Sequence, residues 1–226
     1  MIEETYEVIE AINQQDKALL CEELGDVLMQ VVFHAQMEAE EGSFTFENVA
    51  DGVCKKLIER HPHVFGEVEV TGSEEVLRNW DDIKKRSKGQ TSQTETMLSV
   101  PRELPALMRA TKVQKKAAKV GFDWPDISGA VDKLYEETSE LSGAIESGSE
   151  EEIAEELGDL LFSAVNVSRF VGCDAEEALT AATDKFMRRF ACVEEKARER
   201  GLKLEELSLS ELDALWDEAK LDLLSK

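Results

Sequence analysis

LCEELGDVLMQVV at residues 20–32 and IAEELGDLLFSAV at residues 153–165 decide the architecture. In the first, Leu20, Leu24, Val27, Leu28, Val31 and Val32 recur at helical spacing, and in the second Leu157, Leu160, Leu161, Ala164 and Val165 do so. Each reads as an amphipathic helix. The two stretches lie 133 residues apart, and the same shift lays Glu3-Glu4-Thr5-Tyr6-Glu7 on Glu136-Glu137-Thr138-Ser139-Glu140 and Ala11-Ile12 on Ala144-Ile145. From residue 3 to 32 it leaves 13 identities in 30 ungapped positions, so the chain is a tandem duplication. Offset by three more residues, Trp80-Asp81-Asp82-Ile83-Lys84 echoes Trp216-Asp217-Glu218-Ala219-Lys220.

Around these stretches the composition is that of helices. Ala, Leu, Glu and Lys dominate, and only 13 Gly and 4 Pro punctuate 226 residues. The predicted fold is all-α, two tandem helical bundles. Ser149 ahead of Glu152 and Ser210 ahead of the last helix are expected caps, and a small strand or loop is expected around Val64 to Val70. The polar stretch SKGQTSQTETMLSVP reads as a linker at residues 87–101, giving domains at 1–86 and 102–226.

Charge narrows the function. Forty-nine acidic against 26 basic residues leave −23, which disfavours a free-standing nucleic-acid binder and a polybasic membrane contact. The longest apolar run, Val27 to Phe33, is short and broken by Gln30. The first residues lack the pattern of a signal peptide, and four scattered cysteines read as reduced thiols, so a cytoplasmic protein is expected.

The repeated residues carry the chemistry. Glu4 and Glu7 are three apart, as are Glu23 and Asp26, Glu137 and Glu140, and Glu156 and Asp159; residues three apart share a helix face. Short connections, near residues 13–17 and 146–149, fold each helix pair antiparallel and bring four carboxylates into one pocket. Such a quartet repels itself unless a cation joins it. All-oxygen ligands favour Mg²⁺, or Mn²⁺, over zinc, and Mg²⁺ commonly bridges to substrate phosphates. Gly25 and Gly158, in the middle of their helices, are expected to permit close approach of the partner helix. His61-Pro62-His63 has no acidic or cysteine partner at metal spacing and reads as a helix end. Arg109, Lys112, Lys115, Lys116 and Lys119 either face substrate phosphates or pair with an acidic neighbour.

With E-x-x-E followed by E-x-x-D in both halves, the chain resembles the all-α nucleoside triphosphate pyrophosphohydrolases of the tandem MazG type. His61-Pro62-His63-Val64-Phe65, Val120-Gly121-Phe122-Asp123-Trp124 and Lys185-Phe186-Met187-Arg188-Arg189-Phe190 are similar to that family too. The resemblance spans essentially the whole chain. It implies Mg²⁺-dependent hydrolysis of nucleoside triphosphates to monophosphate and pyrophosphate, in a broad house-cleaning role. It implies Glu137, Glu140, Glu156 and Asp159 as metal ligands of the second copy, matched by Glu4, Glu7, Glu23 and Asp26 in the first. Lys185, Arg188 and Arg189 would hold phosphate oxygens, with Lys133 as a further phosphate contact; Trp216 would stack on base or sugar, with Lys220 one turn on. Glu136 or Glu155 would take the proton of the attacking water.

The copies differ. Trp124-Pro125-Asp126 precedes the second acidic helix, whereas its shifted position falls before residue 1, so the first copy is expected to be without its opening helix here. Lys185 corresponds to Gly52 and Arg189 to Lys56, a poorer phosphate clamp, and the second copy is expected to do most of the chemistry.

Rival classes fare less well. No histidine has Glu three residues before it, as di-iron carboxylate bundles require, and G-x-x-x-x-G-K-[ST] is absent. A non-catalytic acidic helical scaffold and a narrower dUTP- or dCTP-type pyrophosphatase are the alternatives. Two helices per copy cannot bury their apolar stripes alone, so a homodimer is expected.

Overall fold

A computed structural model describes residues 1–66 and 72–224. Every regular element among them is a helix, as the composition predicts. The chain divides into two compact units, Met1–Gln90 and Thr91–Lys226.

The first unit holds α1 (Ile2–Gln14), α2 (Lys17–Glu40), α3 (Phe46–Arg60), the one-turn α4 (Pro62–Phe65) and α5 (Ser73–Ser87). The second holds α6 (Gln93–Leu98), α7 (Ala106–Ala118), α8 (Ile127–Ser147), α9 (Glu150–Phe170), α10 (Ala175–Glu199), a 3-10 turn at Leu204–Glu206 and α11 (Leu209–Leu224). From α8 onward the second unit repeats the order of the first, and α6 and α7 are its addition.

The duplication extends to the turns. Gln15 and Gly148, at equivalent positions, both take the left-handed conformation, with φ of 57° and 76°, that reverses the chain between paired helices. The next residue caps the following helix in both: Asp16 Oδ1 accepts from the Ala18 and Leu19 amides at 2.9 and 3.0 Å, and Ser149 Oγ accepts from the Glu152 amide at 3.4 Å. The equivalent Ala11 and Ala144 are both buried, so the α1–α2 and α8–α9 hairpins have small residues on their inner faces. At α11, Ser208 rather than the expected Ser210 engages the first turn, with its amide and hydroxyl both donating to Glu211 Oε2 at 2.8 and 2.6 Å. Glu three residues on completes a capping pattern for Ser208.

Only part of the expected linker is irregular. Ser92 and Glu95 form a capping box that starts α6, Gln93 Nε2 donates to the Lys116 carbonyl at 2.5 Å, and Val100 is buried. The polar stretch therefore folds onto α7, because its capping box, the Gln93 contact and buried Val100 outweigh its linker-like composition. Of the region around Val64 to Val70, residues 62–65 form α4, and 67–70 lie outside the described residues. His61 ends α3, its ring nitrogen on the Leu57 carbonyl at 2.8 Å, and Pro62 opens α4.

The core is thin. Val165 is the largest side chain that is essentially fully buried, and the main buried cluster joins Val193 and Ala197 of α10 to Leu215 and Ala219 of α11. Much of each predicted apolar stripe faces out, including Leu24, Leu28, Val32, Leu157 and Leu161. The close approach expected at Gly25 and Gly158 is absent: a Cβ built at either meets nothing within 4 Å.

Candidate active site

Each helix hairpin presents a cluster of acids. In the second unit one carboxylate oxygen from each of Glu137 on α8 and Glu156 and Asp159 on α9 lies within 4.8 Å of the others; Glu4, Glu7 and Glu23 do the same in the first. The i, i+3 spacing sets each pair on one face, and the tight turn at Gln15 or Gly148 brings the faces together. Glu137 is only 3% exposed, an unusual place for an acid.

Electrostatics make the clusters receptive to cations. Loss of solvation raises the Glu156 carboxyl above its ordinary range, and Glu137, Asp159 and Glu155 push it further. Desolvation also raises Glu140, with Glu137 next. Glu7 and Glu23 are raised in the same way, with Asp26 among the like charges acting on both. Glu140 and Asp26 thus act on their neighbours electrostatically, but they lie outside the two converging triads, so the expected quartets close only as threes. One lysine partly offsets the second: Lys133 Nζ reaches Glu136 at 2.8 Å and Glu137 at 2.5 Å, which holds its ammonium strongly protonated. The first cluster has instead a long neutral contact from Gln30 Nε2 to Glu4 Oε1 at 3.4 Å. An all-carboxylate set in which Glu7, Glu23, Glu140 and Glu156 are raised fits a hard divalent cation, which removes the repulsion on binding.

A cavity of about 530 Å³ opens beside the second cluster, with Glu137, Asp159 and Lys133 in its lining. Gln114 of α7, Phe122 and Trp124 of the following loop, and Phe162 and Asn166 of α9 complete the surfaces that matter here. Two contacts fix that loop. Arg169 at the end of α9 grips both carboxylate oxygens of Asp123, one at 2.8 Å, and this holds the Asp123 carboxyl below the usual range. Trp124 lies flat against Gly129 of α8, where a Cβ would sit 2.7 Å from the indole, so only glycine permits that wall.

Apart from Lys133, the predicted phosphate and stacking residues lie elsewhere in the unit, on α10 and α11. Trp216 of α11 packs on Phe186 with ring centroids 5.2 Å apart, and the Arg189 guanidinium lies 5.8 Å from its ring. Lys185 and Arg188 have no ion pair or side-chain hydrogen bond among the described residues; Lys220 pairs with Asp217 at 2.6 Å. Neither the acidic triad nor the cavity takes a residue from α10 or α11. In the first unit Trp80 has cationic partners of its own, Arg60 and Lys84.

The family model described as MazG nucleotide pyrophosphohydrolase domain matches the chain twice, over residues 1–65 and 128–193. The chain belongs to the MazG family. Each MazG match contains a whole acidic hairpin, and the second also takes in Lys185 and Arg189. The chain is 44% identical to a nucleoside triphosphate pyrophosphohydrolase of Escherichia coli (strain K12), over 97% of its length and 84% of that protein. It is 46% identical to the Thermotoga maritima nucleoside triphosphate pyrophosphohydrolase/pyrophosphatase MazG, over 97% and 83%. It is also 51% identical to the uncharacterized protein YabN of Bacillus subtilis, over 97% of this chain and 45% of that one. No helix among the described residues is long and apolar enough to cross a membrane.

Sequence reasoning missed Gln114, Asn166 and the Asp123–Arg169 pair. The pair's 46-residue separation leaves no local signal, and Gln114 is hidden in the basic run of α7.

Proposed function

We propose that this protein hydrolyses nucleoside triphosphates to the monophosphate and pyrophosphate, using Mg²⁺ held by Glu137, Glu140, Glu156 and Asp159. The observation that carries the reading is the convergence of the Glu137, Glu156 and Asp159 carboxylates in a chain of this family. The cation, when bound, offsets the charge of the triphosphate and activates water for attack. In the reaction, water oxygen attacks the α-phosphorus, the bond from that phosphorus to the bridging oxygen of the β-phosphate breaks, and pyrophosphate departs. Glu136 is engaged by Lys133, whereas Glu155 has no hydrogen-bond partner among the described residues. Of the two, Glu155 is the less engaged and the better candidate to accept the water's proton. Lys185, Arg188 and Arg189 would hold phosphate oxygens, with Lys133, which pairs with Glu136 and Glu137, as a further phosphate contact. The second unit does most of the chemistry; Glu4, Glu7, Glu23 and Asp26 form a second cation site with a weaker clamp. The test is product analysis: γ-labelled triphosphate incubated with Mg²⁺ yields labelled pyrophosphate, and labelled orthophosphate overturns attack at the α-phosphorus.

The working form is a homodimer. Outward-facing Leu24, Leu28, Leu157 and Leu161 leave apolar stripes on both hairpins that a second chain would cover. Light scattering is expected to give twice the chain mass of 25.3 kDa; a stable, active monomer at nanomolar concentration contradicts it.

A further inference from the structure

We propose that the cavity between α7, the 121–124 loop, α8 and α9 receives the base of the nucleotide, and that Gln114 Oε1 reads it by accepting a hydrogen bond from a base N–H. The inference rests on the pyrophosphohydrolase reading of the adjoining carboxylates and goes beyond it by assigning the site of base recognition. Gln114 is 7% exposed, and its Nε2 donates to the Phe162 carbonyl at 2.8 Å. That bond fixes the orientation of the amide, because a flip would set oxygen against oxygen. Gln114 Oε1 is left buried with no partner. Buried acceptors in folded proteins are nearly always satisfied, so an orphan at the wall of a cavity marks where a donor arrives.

Position and shape name the donor. The same cavity is bounded by Glu137, Asp159 and Lys133, so a molecule with phosphates at the carboxylates has room for its remaining part inside. About 530 Å³ lies within the usual range of small-molecule sites, and Phe122, Trp124 and Phe162 provide apolar walls for a flat ring. One helical turn beyond Phe162, Asn166 Oδ1 accepts from Arg169 Nε at 3.1 Å and Nη2 at 2.7 Å, which leaves Asn166 Nδ2 as the available donor. The two amides thus offer one acceptor and one donor. Every common base carries an N–H beside an acceptor on its pairing edge: the amino group and ring nitrogen of adenine or cytosine, and the ring N–H and carbonyl of guanine, uracil or thymine. Recognition of that shared feature admits all of them and rejects a base without it.

The test compares kcat/KM for ATP and for purine ribonucleoside triphosphate, which lacks the amino group, with wild type and Gln114→Met in Mg²⁺. Wild type is expected to favour ATP about tenfold, and Gln114→Met to bring the ratio within about threefold of unity, chiefly by losing ATP turnover. Equal wild-type values, or a preference that survives in Gln114→Met, overturn the proposal. Photolabelling of wild type with 2-azido-ATP gives a readout independent of any variant. An adduct on residues 113–169 supports the base site; label confined to the Trp216 peptide, or none at the cavity, overturns it. Failure of wild type to release pyrophosphate from ATP counts instead against the pyrophosphohydrolase reading.

Discussion

Glu156→Gln is expected to lower turnover by about a thousandfold or more and, at neutral pH, to raise the melting temperature of the metal-free protein. Both effects have one cause. The Glu156 carboxyl is raised above its ordinary 4.5 by desolvation and by Glu137, Asp159 and Glu155, so the folded state binds its proton more tightly than the unfolded chain does. The stability this confers is fully present below about pH 4.5 and is lost as pH rises through the folded value. At pH 7 the metal-free cluster is thus a net strain on the fold, and glutamine removes one of its charges. A cation that binds only the folded state reverses the strain in wild type. Thermal melts in chelator and in Mg²⁺ read both effects. Wild type gains stability with Mg²⁺, and the variant starts higher and gains little. The difference between the two metal-free proteins shrinks as pH falls towards 4.5. An equal Mg²⁺ gain in both proteins contradicts the assignment of Glu156 as a ligand.

That trade was legible in the sequence because it depends on local periodicity. Carboxylates three apart on a helix share a face in any context, and the 133-residue repeat of Glu-Glu-Leu-Gly-Asp raised the pattern above an ordinary solvated surface. The equivalent Asp16 and Ser149 caps and Gln15 and Gly148 turns follow from the same local rules. What escaped depends on contacts between distant parts of the chain. Gln114 meets the Phe162 carbonyl 48 residues on, and Arg169 meets Asp123 across 46. One ends on the backbone carbonyl of an apolar residue and the other joins two ordinary charged residues, with no periodicity to betray either. The expectation for Gly25 and Gly158 failed differently: a mid-helix glycine says that bulk is absent without saying what occupies the space.

Arg189→Ala is expected to lower kcat/KM for nucleoside triphosphates about a hundredfold, while Lys56→Ala at the equivalent place leaves it within about twofold. Arg189 lies over Trp216, which packs on Phe186, so its guanidinium is held by aromatic faces before substrate arrives. Lys185 stands one helical turn earlier without an acidic partner among the described residues, in a chain with a formal charge of −23. Cations left unpaired in so acidic a protein are available to phosphate. The first unit has Gly52 where the second has Lys185, and a flexible Lys56 where the second has Arg189, so its clamp lacks one charge and the forked geometry of the other. Steady-state kinetics on both variants decide the matter, and comparable losses in the two contradict the division of labour between the units.

Whether pyrophosphate is released at the carboxylates of α8 and α9 is decided by measuring pyrophosphate from the eight common ribo- and deoxyribonucleoside triphosphates in Mg²⁺, with wild type, Glu156→Ala and Glu23→Ala side by side. Release is expected from wild type and Glu23→Ala, abolished by chelator, and only a small residue of it from Glu156→Ala. Release that survives in Glu156→Ala and disappears in Glu23→Ala would contradict that expectation and move the chemistry to the first unit.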